Sequence, residues 1–154
     1  MSQTPGNPTP DSANRQAWMA VLARAERQAL ERAVAALDGH AEWSRLRAPE
    51  TGMVMVRGRA GGDGAPFNLG EMTVTRCAVA LPCGAVGHAY VAGRDHRKAE
   101  LAAVLDAVLQ TEAGETLRRG FVAEEAARQQ ECRRDALRRA AATRVDFFSM
   151  VRMG

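Results

Sequence analysis

The sequence predicts an α+β fold: N-terminal helices, a central and mainly antiparallel sheet of three to four strands, and C-terminal helices ending in an apolar docking tail. Three observations carry that prediction. Apolar residues in the N-terminal quarter recur at helical spacing, three β-type runs then follow one another with turn signals between them, and the chain from Asp95 to Ala142 returns to helical spacing with a growing load of charge. Successive strands joined by short links form a meander, and a helix laid on one face completes a core.

Ser12 or Asn14 is placed to cap a first helix whose apolar side is Trp18, Met19, Val21, Leu22 and Ala25. Leu30, Val34 and Leu37 continue that spacing, and Gly39 stands where a left-handed C-terminal cap is wanted. The character changes after Pro49. Met53 to Arg59 reads as a strand, Ala60 to Gly70 as a loop holding four glycines and a proline, and Glu71 to Leu81 as a second strand rich in Thr and Val. Pro82-Cys83-Gly84 signals a turn, after which Val86, His88 and Tyr90 alternate with smaller residues as a third strand. Asp95 then caps a helix whose stripe of Leu101, Val104, Leu105 and Val108 is expected to cover one sheet face. A weak stretch from Gly114 to Gly120 leads to a last helix, about Val122 to Ala142, exposed on most sides. The expected organisation is a disordered arm over residues 1–11 and a single domain over 12–154.

The final dozen residues are too apolar for a solvated tail. Phe147, Phe148, Met150, Val151 and Met153 follow a heavily charged segment, and burying a side chain of this kind contributes about 1.5 to 3 kcal/mol. Either the tail folds back on its own core or it docks on another subunit.

Composition narrows the function classes. No apolar run nears the roughly 20 residues that span a bilayer, and the polar, uncharged arm lacks the features of a signal peptide. Three cysteines without close pairing argue against a disulfide framework and for a reducing cytoplasm. The net charge of +3 rests on arginine, with Lys98 the one lysine. Because Arg128, Arg133, Arg134, Arg138 and Arg139 alternate with Glu124, Glu125, Glu131 and Asp135, they form a solvated helix face and not a nucleic-acid surface.

Two segments have the chemistry to meet an anion or a partner subunit. Arg57 and Arg59 open a glycine-rich loop whose amides suit an oxyanion, although the lysine and Ser/Thr of a P-loop are missing and a plain strand connection is the competing reading. Arg94 and His96 flank the start of the helix capped by Asp95, where simple capping competes with anion binding. His40, His88 and His96 lack metal-ligand spacing, and no Ser or Cys has a neighbouring His. The residues alone compose no self-contained active site.

Five ordered blocks give the chain a resemblance to the PhnG family of the bacterial carbon-phosphorus lyase system. They are Arg15-Gln-Ala-Trp-Met-Ala-Val-Leu-Ala23, Pro49-Glu-Thr-Gly-Met53, Gly70-Glu-Met-Thr-Val-Thr-Arg76, Gly93-Arg-Asp95 leading to Asp106-Ala-Val-Leu-Gln110, and the terminal Thr143 to Arg152. The resemblance implies a non-catalytic or accessory subunit of a cytoplasmic hetero-oligomer that serves organic phosphonate catabolism. That assembly makes α-D-ribose 1-methylphosphonate 5-triphosphate from ATP and methylphosphonate, releasing adenine. It implies the I protein as the most direct partner, with H, J and L also involved, no cofactor in this chain, and an iron-sulfur cluster in a different subunit. Trp18, Phe147, Phe148, Met150 and Val151 are the expected interface residues, and the chain alone is expected to self-associate. The alternative is an independent small phosphate-ester or nucleotide-binding protein that uses the arginine-rich loop.

Overall fold

The computed structural model describes residues 10–37, 42–59 and 64–144. Helices α1 (Pro10–Arg24) and α2 (Arg27–Ala35) precede strands β1 (Ser44–Gly58), β2 (Phe67–Ala80) and β3 (Val86–Ala92). Helix α3 (His96–Leu109) follows, then α4 (Gly114–Leu117), a π-helical turn (Arg118–Val122) and α5 (Ala123–Ala142). The sheet is an antiparallel meander in the order β1-β2-β3, three strands within the range expected. The apolar tail from Phe147 onward and the glycine expected to cap α2, Gly39, lie outside the described residues.

Several boundaries differ from those read in the sequence, each for a physical reason. The first helix starts at Pro10, so Ser12 and Asn14 lie within it; proline is well suited to a helix's first turn because it has no amide to leave unsatisfied. The N-terminal helical pattern breaks at Glu26, whose extended backbone (φ −74°, ψ 146°) redirects the chain so that Ala25 and Leu30 are both fully buried. Strand β1 starts at Ser44 and passes through Pro49, which sits inside a register shift between Arg47 and Glu50. A bulge on an edge strand tolerates a residue that cannot donate to the ladder. Strand β2 likewise begins at Phe67, within the segment expected to be a loop.

Helix α3 organises the core. Eleven of its residues are buried, Ala99 through Leu109 without interruption, where the sequence suggested a one-sided stripe. The reason is its middle position: α3 packs against β2 and β3 on one side and α1 and α2 on the other, so every face needs apolar or internally paired residues. Thr75, Cys77, Val79, Ala89 and Val91 form the sheet surface beneath it. Gly87 sets the closeness of that packing, since a Cβ there would collide with the backbone of Ala103 and Ala107. The tight β2–β3 connection places Gly84 at φ +89°, a conformation that favours glycine.

The π-helical turn joins α4 to α5 with helical backbone on both flanks, so Gly114 to Ala142 is one helical run with a local π-bulge. Gly120 inside that bulge weakens the helical signal that a sequence reading depends on. Only Glu125 of α5 is buried, in keeping with its charged composition.

Candidate functional site

Two buried carboxylates hold the helices to the sheet, and sequence patterning missed both. Asp106, in the middle of α3, is fully buried and accepts four side-chain or backbone donors. Arg15 donates from Nε to Oδ1 (3.3 Å) and from Nη2 to Oδ2 (2.8 Å), Trp18 Nε1 donates to Oδ1 (2.8 Å), and the His88 amide donates to Oδ2 (2.9 Å). Arg15 Nη2 and Gln110 Nε2 also donate to the Val86 carbonyl, at 3.1 and 2.8 Å. These contacts satisfy the Val86 carbonyl and the His88 amide, so the start of the β3 edge is covered by side chains. Trp18, expected at an interface, lies in the chain's own core, with the Arg118 guanidinium 5.2 Å from its ring centroid.

The second carboxylate is Glu100, buried near the start of α3. Arg45 donates to it twice (2.7 and 3.0 Å) and Trp43 Nε1 once (3.0 Å). These hydrogen bonds, Arg45's above all, hold its carboxyl below the usual carboxylate range despite burial. Burial next to Glu100 pushes the Cys77 thiol up, so this cysteine is no thiolate nucleophile. The three cysteines are free, with Cys83 and Cys132 exposed.

Mid-hairpin, the exposed and part-buried polar groups form a second network. Glu50 accepts from Arg47 (2.7 Å) and from Arg76 across the strand pair (2.6 Å), which lowers its pKa. Thr75 Oγ1 donates to the Gly93 carbonyl (2.7 Å) and lies 3.3 Å from Thr51 Oγ1, which in turn is 3.0 Å from His96 Nε2. A hydroxyl beside an imidazole has the reach of a nucleophile and its base. Here no group among the described residues orients the other ring nitrogen, and the Thr51 hydroxyl is shared with Thr75. The contact ties β1 to the start of α3.

The structure separates the arginines expected to meet an anion. Asp95 caps α3, accepting from the Lys98 amide (2.9 Å), with His96 as the first helical residue and Arg94 exposed just before it. Arg57 and Arg59 are exposed at the far end of the hairpin. Arg57 lies six residue steps along the strand from Thr51, the partner of His96, a span of roughly 20 Å at strand rise. The two pairs therefore do not form one site. An open groove of about 1330 Å³ is lined by Leu37, Leu81, Val108, Leu117 and Phe121 together with Glu42, Glu112 and Cys83, and no histidine, lysine or arginine lines it among the described residues. Among the described residues, no group of three or more His, Cys, Asp and Glu is placed to hold a metal ion, and no helix is long and apolar enough to cross a membrane.

The family described as phosphonate metabolism protein PhnG matches residues 13–153 of this chain. The chain belongs to the PhnG family. A relative from Rhizobium meliloti (strain 1021), the alpha-D-ribose 1-methylphosphonate 5-triphosphate synthase subunit PhnG, is 46% identical over 140 residues, covering 91% of this chain and 90% of the relative. The geometry now explains several blocks that carry the PhnG resemblance. Arg15 and Trp18 of the first block close on Asp106 of the fourth, Glu50 of the second pairs with Arg76 of the third, and Thr75 of the third bonds Gly93 of the fourth. These motif residues hold the fold together.

Proposed function

We propose that this chain is a non-catalytic, accessory subunit of the enzyme assembly that makes α-D-ribose 1-methylphosphonate 5-triphosphate from ATP and methylphosphonate, releasing adenine, in the breakdown of organic phosphonates. One observation carries this reading: the 46% identity, over nearly the whole of both chains, to a relative named as a subunit of that synthase. The structure supports an accessory role, because its buried carboxylates are saturated by internal donors and the exposed arginines and His96 do not converge. An independent phosphate-ester or nucleotide-binding protein would need such convergence, and no observation favours that alternative.

In this reading the working unit is a cytoplasmic hetero-oligomer. The I protein is the most direct partner, with H, J and L in the same system, ATP is a substrate of the assembly, and the iron-sulfur cluster resides in another subunit. Reconstitution tests it. Adenine release from ATP and methylphosphonate requires this chain together with the H, I and L proteins, and the purified chain alone releases none. Full activity without the chain, or comparable turnover by the chain alone, overturns the proposal.

A further inference from the structure

We infer that the outer half of the β1–β2 hairpin is the element that docks this chain into a partner subunit, entering an apolar cleft lined at its far end by carboxylates. The inference rests on the accessory-subunit reading and adds the surface and its chemistry. Strand β3 pairs with β2 only from Val74 to Ala80, and the Gly93 amide just past it donates to the Thr73 carbonyl, so from Phe67 to Met72 strand β2 has β1 as its sole neighbour among the described residues. The result is a two-stranded arm beyond the cover of the third strand. It is apolar where it should be polar: Met53, Val54, Met55, Phe67, Leu69 and Met72 are between 37% and 68% exposed.

Three observations identify the occupant as a cleft in a different protein. The first is two-sidedness. Met53 and Met55 point to one face while Val54 and its cross-strand partner Met72 point to the other, so covering the arm takes two walls. Pairing of two copies along the open β1 edge would satisfy backbone groups but leave both faces in water. The second is area: these six residues expose roughly 600 Å², most of the about 800 Å² that each partner gives to a stable interface. The third is charge, for the arm ends in the exposed guanidiniums of Arg57 and Arg59, neither of which has an ion-pair partner among the described residues. Carboxylates at the base of the cleft complement them. The start of the β3 edge is covered by Arg15, Asp106 and Gln110, whereas β1 is the sheet's other edge.

The test is co-expression of the full chain with the H, I and L proteins, the I protein carrying the affinity tag. Retention is compared for wild type, Met53→Ser/Leu69→Ser and Arg57→Glu/Arg59→Glu, and each isolated chain is melted by circular dichroism. Both variants are expected to melt with wild type and to be retained about tenfold less or worse. If the serine pair lowers the melt, the arginine pair decides alone. Wild-type retention of the variants overturns the docking assignment while the accessory reading stands. The assignment also falls if the isolated chain is a dimer that these substitutions dissociate while capture by the I protein is unchanged, since the arm is then a self-interface. A wild-type chain that the assembly does not retain overturns the accessory reading itself.

Discussion

Along the β1–β2 hairpin, similar residues meet opposite fates. At its inner end Cys77 and Val79 lie under α3 and are essentially inaccessible; at its outer end Met53 and Leu69, no less apolar, are mostly exposed. Apolar content therefore does not decide burial in this chain. Available cover does, and α3 reaches only as far as Thr51 and Thr75, where His96 begins the helix. The inner half is fold, and the outer half is surface whose apolar character the isolated fold does not require.

That contrast is open to direct challenge by substitution. The largest effect is expected for Asp106→Ala, which strands Arg15, Trp18 and the His88 amide without their acceptor; removing one partner of a buried ionic network costs about 3 to 5 kcal/mol. Urea unfolding measures it, and a loss under 1 kcal/mol would show that the helices do not depend on this anchor. Leu105→Ala should follow at about 3.5 kcal/mol, the middle of the range for emptying a leucine site, because Leu105 is fully buried between the layers.

Glu100→Gln should act in a pH-dependent way. Its folded pKa lies below the unfolded value, so its contribution is complete above the ordinary carboxylate range and is lost as pH falls through the lowered folded value. The melting difference between wild type and variant should be largest near neutrality and shrink in acid, and a pH-independent difference would remove Glu100 from the acid response. The effect should be smaller than that of Asp106, since Arg45 is more than half exposed and the pair is partly screened. Asp95→Ala should remove one helix cap, about 0.5 to 2 kcal/mol by thermal melt. Met53→Ala should fall within about 0.5 kcal/mol of wild type in the isolated chain. A large loss there would mean that the arm is packed in the free protein and that its two halves are not different after all.

Most of this architecture was legible in the sequence. The three β-type runs, the turn at Pro82-Cys83-Gly84 and the Asp95 cap each follow from local propensity, and the structure contains them. What escaped was non-local. The partners Arg15 and Asp106 are 91 residues apart, and Trp18 and Asp106 are 88 apart, so no window along the chain contains the acceptor and its donors together. The continuous burial of Ala99–Leu109 looked like a stripe because the second layer of helices over it is a tertiary fact. The distance between Arg57 and His96 is likewise set by the length and course of the hairpin, which no local pattern reveals.

The Arg15 anchor also bears on how the polypeptide is made. The acceptors of helix α1, the Val86 carbonyl and the Asp106 carboxylate, are synthesised 71 and 91 residues after Arg15. At about 5 to 20 residues per second, the apolar side of α1 waits roughly 5 to 20 s for its place in the core.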